Sequence, residues 1–456
     1  MFKLKTAIAA GVALLTGALQ PAYSATLAEV LEAAWQADSE WNAALRTWEA
    51  DQQLENQGRA ALLPNVNASY SWLKNDLEVR TGAKGDHDYE SQTLTLSLVQ
   101  PLFQPQAWYG YKQLKATTSV AAANFASARQ DFLLRVSNQY FGVLRGWEDL
   151  TTLRAQERAI GRQLEQTRER YDVGLVAQTD VLEAQAAYDL TQSDRILAEA
   201  QFEIARDRLE ALTNRNWDSL AKLQDDLPLD GPLPAKSEEW VELARARNPQ
   251  LLMALYQSEV QQNNARVQAW AHSPTVDFVA QHQRYRDDDD TLQPTPPNTR
   301  NTAYGVEVKL PLFQGGAVAS RRKQAALQYE ASQETYQRTW RDVGQQALSS
   351  FRVVHANALR IKAREQAIRS AQSALEATQA GYDVGTRNIV DVLNAQRTLF
   401  SAQRDYATTR YDYITESLTL KAVAGVLSED DLQQVDQWLS RNDEVTLDDV
   451  VNDQDA

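Results

Sequence analysis

The sequence predicts a mainly α-helical protein that also carries membrane β-strands, arranged as a tandem structural repeat. The first observation behind this prediction is that residues 171–185, YDVGLVAQTDVLEAQ, return as residues 382–396, YDVGTRNIVDVLNAQ, 211 positions later. The second is a pair of very long heptad patterns, which indicate long coiled-coil helix hairpins. The third is a set of four segments in which apolar and polar residues alternate, as they do in strands with one face on lipid.

Two further segments keep nearly the same spacing, which means that a whole structural unit was duplicated. Residues 101–104, PLFQ, return as residues 311–314, and Pro64 returns as Pro274, both 210 positions later. A duplicated unit usually forms a symmetric architecture, because each copy repeats the same packing surfaces. The predicted boundaries are residues 25–227 for the first repeat, 228–235 for a proline-rich linker and 236–428 for the second repeat.

The start of the chain has the pattern of an export signal. Two lysines precede the one long apolar run, residues 7–19, and Ala22 and Ser24 supply the small residues before a cleavage site. A membrane anchor, which is the alternative, would need about 20 apolar residues. We therefore expect residues 1–24 to be a signal peptide.

Four segments are predicted to be β-strands. In the second of them, Leu94, Leu96 and Leu98 alternate with threonine and serine, so one face is apolar and the other is polar. Alternation over about ten residues next to aromatic side chains is typical of a transmembrane strand, and an edge strand of a soluble sheet is the alternative. The predicted strands cover approximately residues 65–80, 90–101, 275–286 and 302–311.

The long helices are predicted from the heptad spacing and from the scarcity of helix breakers. Between Ala317 and Tyr382 there is no proline, and apolar residues from Trp340 to Tyr382 recur at every seventh position. The first repeat keeps this register from Val136 onward, with Glu157 as its one break. Such a helix is roughly 100 Å long, and its polar composition places it in water. The predicted long helices cover approximately residues 105–170, 180–220, 316–382 and 389–425.

Composition and charge exclude several classes of function. The chain has no cysteine, which rules out disulfides and thiolate metal sites. Its net charge of −15 and its lack of a basic face argue against a nucleic-acid partner. No zinc-ligand spacing, nucleotide loop or hydrolase fingerprint occurs, so neither an enzymatic activity nor a cofactor is predicted. Residues 429–456 hold ten acidic residues against Arg441 alone, which predicts an acidic, partly disordered C-terminal tail.

The loops between paired strands are polar and are predicted to lie at one end of the sheet. One covers residues 81–88, and the other runs from Arg286 to Asn301. Long polar loops at one end suit the outside of an outer membrane. The acidic run Asp287–Asp290 could hold a divalent cation, but it lacks the interleaved spacing of a calcium loop, which favours a solvated loop.

Four strands cannot close a barrel, so the predicted sheet requires further copies of the chain. An open sheet edge is not tolerated in lipid, and closed barrels begin at about eight strands. Two, three or four copies would supply on the order of eight, twelve or sixteen strands. The sequence requires closure into a tube with cyclic symmetry, without choosing among these numbers.

The tandem YDVG motifs, the tandem PLFQ turns and the entries into the strands at Pro64 and Pro274 resemble the TolC family of outer membrane efflux proteins, over about residues 26–430. The resemblance implies a homotrimer in the bacterial outer membrane. Its long helix hairpins would form a trimeric α-barrel with a long periplasmic extension, continuous with a 12-stranded β-barrel that takes four strands from each protomer.

The same resemblance implies a function and partners. The protein would be the exit duct of a tripartite efflux or type I secretion system, gated at its periplasmic tip. It would export small molecules such as drugs and detergents and, with some partners, proteins. The implied partners are a periplasmic adaptor, an inner-membrane pump or ABC transporter, and outer-membrane lipid.

The resemblance also assigns roles to the two YDVG turns, which would be the periplasmic tips. A glycine in each turn permits the positive φ that a tight helix-to-helix turn often needs. The resemblance implies that an adaptor docks at these turns. The implied adaptor-docking residues are Val173, Gly174, Leu175, Val384, Gly385 and Thr386.

In the family, links between neighbouring helix pairs hold the gate closed. Asp391 matches a ring of acids at the constriction, whereas Asn394 stands where the best-known members carry a second aspartate, which predicts weaker trapping of cations at the mouth. Apart from the resemblance, acids at the start of a helix have a simpler role, because the helix dipole stabilises each by about 0.3–1 kcal/mol. The residues that match the gate links are Tyr382 with Asp180, and Arg387 with Thr179.

Two other non-enzymatic functions remain open at the level of sequence. A structural coiled coil that spans the periplasm would have no passage, and a passive porin would not need long helices. For a gated duct, we expect opening to be a shift between two packings of the helix pairs, biased by a partner that binds the open form better.

Overall fold

The computed structural model confirms a tandem repeat of long helix hairpins joined to membrane-type strands. The residues that the structure describes are 24–79, 85–229, 231–287 and 298–447. The elements of the first repeat are α1 Leu27–Ala37, α2 Ser39–Asp51, α3 Gln53–Ala60, β1 Asn65–Val79, β2 Gly85–Phe103, α4 Pro105–Asp172, α5 Gln178–Thr213 and β3 Ser219–Leu223. Those of the second are α6 Ser237–Arg247, α7 Pro249–Ala269, β4 Thr275–Asp287, β5 Asn298–Lys309, α8 Ala317–Asp383, α9 Ile389–Val423, α10 Glu429–Asp436 and β6 Leu439–Thr446.

The element boundaries reproduce the sequence repeat. Helix α6 begins 210 positions after α1, and β4 begins 210 positions after β1, whereas α9 begins 211 positions after α5. The second repeat therefore has one extra residue, which lies near the start of its long helix α8. Helix α4 begins with Pro105 directly after Gln104, whereas Gly315 and Gly316, with φ of 60° and 82°, precede α8. Positive φ suits glycine because it has no Cβ, so these two glycines accommodate the insertion.

Helices α4 and α8 have 68 and 67 residues, so each is about 100 Å long. The predicted heptad is the buried seam, since Val136, Val143 and Leu150 in α4 are fully buried. The break at Glu157 is a half-buried ion pair, with the Arg195 Nε of α5 2.8 Å from the carboxylate. Helices of the described ranges are too polar or too short to cross a bilayer.

The four long strands form one antiparallel sheet in the order β1-β2-β4-β5, so both edges of the described sheet are unpaired. Its two faces differ in polarity because the side chains alternate along every strand. On one face, a row of directly paired residues consists of Val66, Leu98, Ala280 and Tyr304. The next row, on the other face, consists of Asn67, Ser97, Gln281 and Ala303.

The largest core surrounds the middle of α4 and α9, where short elements pack against the long helices. Ala25 adds to β3, with its N–H donating to the Ser219 carbonyl at 2.9 Å. The buried hydroxyl of Tyr140 donates to the carbonyl oxygens of Ala25 and Ala221, at 3.2 and 2.9 Å. Burial raises the pKa of Tyr140 well above its ordinary value, so this anchor keeps its proton.

The sequence predicts a partly disordered acidic tail, and residues 429–447 of that tail fold onto this core. Strand β6 pairs antiparallel with β3, and the Lys421 ammonium lies 2.7 Å from the Asp431 carboxylate. Three acids in the first turn of α10 are stabilised by the helix N-terminus. The prediction gave weight to charge and overlooked the apolar residues between the acids. Those buried residues are Leu432, Val435, Leu439, Val445 and Leu447.

Other predicted boundaries also needed correction. The helix expected to run to residue 220 ends at Thr213, because Asn214 takes a left-handed conformation with φ of 48°. Strand β2 begins at Gly85, so residues 85–88 of the predicted loop belong to a strand. The rest of that loop lies outside the described residues, as do Asp288–Asp290, residues 1–23 of the predicted signal peptide and residues 448–456.

Candidate functional site

The two YDVG turns have the same backbone. In the first, the Gly174 N–H donates to the Tyr171 carbonyl at 2.9 Å and the Leu175 N–H to the Arg170 carbonyl at 2.8 Å. Matching bonds in the second join Gly385 to Tyr382 and Thr386 to Gly381, at 3.1 and 2.8 Å. Both glycines have φ of 78°. These are Schellman caps, in which a left-handed glycine satisfies the last carbonyl groups of a helix.

The predicted docking residues form the outermost points of both hairpins. Val173, Leu175 and Val384 are 70%, 73% and 75% exposed. Thr386, which replaces Leu175 in the second turn, donates its hydroxyl back to the Gly381 carbonyl at 3.0 Å. Apolar side chains this exposed at a tip are available to a partner.

The repeated tyrosines of the two turns differ in burial. Tyr171 is 42% exposed, whereas Tyr382 is 7% exposed. Tyr382 belongs to a small core that joins both hairpins, and within the described chain its buried hydroxyl has no hydrogen-bond partner. A buried hydroxyl without a partner costs about 1–3 kcal/mol, so this tyrosine is poised to gain a partner. The other buried members of this core are Ile160, Leu164, Ala184, Ile389, Val392 and Leu393.

Arg170, which sequence reasoning missed, joins the first hairpin to the second. Its guanidinium lies 4.8 Å from the centre of the Tyr382 ring and 3.0 Å from the Asp383 carboxylate. Both contacts hold the end of α4 against the end of α8. The sequence does mark Arg170 as unusual, because the second repeat has glycine at the corresponding position, Gly381.

Arg387 folds back over its own hairpin. Its Nη1 atom lies 3.8 Å from the Asp391 carboxylate, with the Arg387 side chain largely exposed and the Asp391 side chain half-buried. Its stem covers Gly381, where an added Cβ would lie 2.8 Å from Arg387 Cγ. Glycine at position 381 therefore makes room for the Arg387 side chain.

The start of the returning helix is better capped in the second hairpin. The Asn388 side chain accepts a hydrogen bond from the Asp391 N–H at 2.8 Å. Ala177 occupies the matching position before α5 and provides no side-chain cap. Asn394 is exposed and accepts from Arg397 at 3.0 Å.

The predicted gate links are not made within the one chain that the structure describes. Thr179 is exposed and Asp180 half-buried, and neither is hydrogen-bonded to Arg387 or to the Tyr382 hydroxyl. The structure does bring α4, α5, α8 and α9 together at the tips, in the core around Tyr382. The links Tyr382–Asp180 and Arg387–Thr179 stay predictions for the assembled protein.

Both repeats match a known protein family, described as outer membrane efflux protein, over residues 24–215 and 240–426. The chain is 33% identical over 420 residues to the outer membrane protein TolC of Vibrio cholerae, which covers 91% of this chain and 94% of that protein. It is 30% identical over 433 residues to the alkaline protease secretion protein AprF of Pseudomonas aeruginosa, covering 91% and 88%.

Solved structures share the fold. The outer membrane protein VceC of Vibrio cholerae matches with a TM-score of 0.75 at 20% identity, over 88% of this chain and 96% of that one. The open-state MtrE outer membrane channel of Neisseria gonorrhoeae matches with a TM-score of 0.69 at 19% identity, over 89% and 91%. With both repeats matched and a relative at 33% identity over nearly its whole length, the chain belongs to the outer membrane efflux protein family.

Proposed function

We propose that three copies of this chain form the outer-membrane exit duct of a tripartite efflux or type I secretion system. The observation that carries the proposal is the join between a sheet with one apolar face and helices about 100 Å long. Gln104, between β2 and α4, strengthens this join by donating to the Asp277 carboxylate of β4 at 2.6 Å. A single molecule thereby reaches from the membrane far into the periplasm.

The sheet supports assembly of several copies. Its edge strands β1 and β5 have no neighbour in the described chain, and unpaired edges are not tolerated in lipid. Antiparallel pairing of β5 with β1 of the next copy would satisfy both edges. Three copies then give a closed barrel of about twelve strands with room for a passage.

The repeat itself indicates where the copies meet. Helix α7 packs against both α4 and α8. Helices α2 and α3 occupy the matching place in the first repeat and pack against α4, but in the described chain they have no extensive contact with α8. The repeat predicts the missing contact, in which α2 and α3 lie against α8 of the neighbouring copy.

The same reasoning applies to the long helices. Within the chain α4 packs against α9, so the matching contact between copies joins α8 of one chain to α5 of the next. Both of these helices carry exposed apolar side chains, which burial in an assembly would remove from water. These residues are Leu182, Leu190, Ile196, Leu197 and Ile204 on α5, and Leu327, Val353 and Leu359 on α8.

The periplasmic end is the gate in this proposal. Polar contacts at the turns hold the hairpins together in one packing, and a periplasmic adaptor that docks on the exposed apolar tips would favour the open packing. A partner shifts this equilibrium only by the difference between its affinities for the two states. An inner-membrane pump or ABC transporter would deliver small molecules, or proteins in a secretion system.

The test is single-channel conductance of the purified protein in a planar bilayer, wild type beside Y382F/R387S. We expect a small, cation-favouring wild-type conductance that grows several-fold in the double variant, because both predicted links are lost. A channel of unchanged conductance would place the gate elsewhere. No channel in either protein would overturn the exit-duct proposal and favour a structural coiled coil.

A further inference from the structure

Three arginines lie on the apolar face of the sheet, at the end that carries the hairpin loops. Arg284 and Arg286 of β4 share this face with Phe278 and Ala280, and Arg300 of β5 shares it as well. The other face is rich in serine, threonine, asparagine and glutamine, so in the proposed barrel the apolar face meets lipid. The arginines therefore face the membrane instead of the passage.

Their position along the strand is the upper edge of the membrane's apolar layer. Exposed apolar residues mark the opposite edge, where Leu310 and Phe313 are 53% and 83% exposed. Arg300 precedes Leu310 by ten residues. At about 3.4 Å per residue and a tilt of about 35–45°, this spacing spans about 24–28 Å along the membrane normal. An apolar band on such a barrel is about 25 Å tall, so the guanidinium groups reach the lipid headgroups.

The arginines are arranged so that an anion would relieve their repulsion. Arg284 lies directly opposite Arg300, and paired residues of this kind have Cβ atoms about 4.5–5.5 Å apart, where like charges destabilise a sheet. The nearest described acid on β4, Asp287, points to the other face and pairs with Ser91. Glu90 on β2 accepts a hydrogen bond from Trp72 Nε1 at 3.2 Å. Among the described residues, none of the three arginines forms an ion pair.

We propose that Arg284, Arg286 and Arg300 bind the phosphate groups of a phosphorylated glycolipid in the outer leaflet. Guanidinium groups match phosphate oxygens with two parallel hydrogen bonds. The inference rests on the proposed closure, which would bring β1 of the next copy beside Arg300. On the same face that strand carries Trp72, an aromatic side chain of the kind that anchors at membrane interfaces, and Lys74, a fourth cation. Nearer the loop it also carries the acids Asp76 and Glu78 on this face, so Arg284 and Arg286 are the arginines farthest from its carboxylates.

The test measures binding of diphosphorylated lipid A to the detergent-solubilised full-length assembly by native mass spectrometry. We compare wild type, R284Q/R286Q/R300Q and the control R321Q/R322Q/K323Q, which loses three charges at the start of α8 beyond the apolar band. Wild type and control should retain lipid A, and the arginine variant should lose at least about tenfold in affinity, because each lost guanidinium removes charge-assisted hydrogen bonds to phosphate. R284Q alone, which keeps two arginines and removes the like-charge pair, should lose less.

Equal affinity in all four proteins would overturn the proposal. Equal binding of dephosphorylated lipid A by the wild type would also overturn it, because acyl chains would then hold the lipid. Measuring the conductance of the same preparations tests the exit-duct proposal independently of lipid binding. The arginine variant should keep the wild-type channel, whereas lack of a channel in the wild type would speak against the duct and leave the lipid measurement to be judged by itself.

Discussion

The two helix turns have the same backbone and different side chains. Both end in a Schellman cap with glycine at φ of 78°. Several positions, however, carry a polar or charged side chain in one copy and a different residue in the other. Four of the positions that differ, first turn before second, are Arg170 and Gly381, Val176 and Arg387, Ala177 and Asn388, and Glu183 and Asn394.

After the duplication, both copies kept the backbone of the turn, and their side-chain contacts became different. The second hairpin receives Arg170 from the first, buries Tyr382 and caps its returning helix with Asn388. The first hairpin has no matching set, since Tyr171 is exposed and Ala177 provides no cap. We infer that the second hairpin is the one that gating contacts restrain.

The largest expected effect comes from Arg170→Gln. This change removes the ring contact with Tyr382 and the ion pair with Asp383 in every copy. An exposed ion pair contributes about 0–1 kcal/mol and a cation–π contact about 0.5–1 kcal/mol. Over three copies the loss is about 3 kcal/mol, enough to raise the open probability in a planar bilayer by tenfold or more, to about a hundredfold.

Arg168→Gln is the matched control for this change. Arg168 lies on the same helix and donates to Gln185 of α5, so its contact stays within the first hairpin. The control should leave the open probability near the wild-type value. Equal effects of the two variants would mean that a hairpin's own packing, and not the contact between hairpins, restrains the gate.

A smaller effect is expected from Asn394→Asp, which tests the exchange of Glu183 and Asn394. If the second hairpin faces the axis, the variant adds three carboxylates to the ring that Asp391 forms, and rings of acids favour cations. The ratio of cation to anion permeability, measured from reversal potentials in a salt gradient, should rise by about twofold or more.

Glu183→Gln is the corresponding test in the first hairpin, where it removes the carboxylate at the position that matches Asn394. With the first hairpin away from the axis, this change should leave the permeability ratio within error of the wild type. A fall in the ratio as large as the rise in Asn394→Asp would show that both hairpins line the mouth equally, and would contradict the specialisation inferred here.

Much of the fold was predictable because it repeats or is periodic. The heptad from Val136 located the buried seam of α4, and alternation at Leu94, Leu96 and Leu98 located a membrane strand. The folded tail was not predictable in the same way. Leu439 lies between acids in the sequence, and it pairs with Leu223 of β3, a partner about 200 residues away in the chain.

The site was predictable to the level of the turns and no further. Gly174 and Gly385 have positive φ, which glycine favours by itself, so this feature could be predicted without knowing any distant contact. The contact of Arg170 with Asp383 depends on how two hairpins pack, which no local pattern encodes. The replacement of Arg170 by Gly381 in the second copy was visible, but a single difference between repeats does not state which contact it serves.

The shared backbone is tested by Gly174→Ala and Gly385→Ala. Neither added Cβ would meet another atom within 4 Å, so the cost comes from the left-handed backbone alone. That cost is about 1–2 kcal/mol for each turn. Hydrogen exchange should therefore speed up by a similar factor at both turns, about five- to thirtyfold. A clearly larger change in one turn would show that its contacts also depend on the glycine.

The smallest expected effect concerns the helix caps, where the turns differ by one side chain. Asn388→Ala removes the acceptor of the Asp391 N–H, a loss of about 1 kcal/mol, so exchange in the first turn of α9 should become about fivefold faster. Ala177 has the same extended backbone as Asn388, with φ of −82° against −97°, so Ala177→Asn should slow exchange in the first turn of α5 by a similar factor. Opposite changes of equal size would mean that the backbones are interchangeable and that the side chains alone make the hairpins different. No slowing in Ala177→Asn would mean that the first turn opens by a motion that a cap does not restrain.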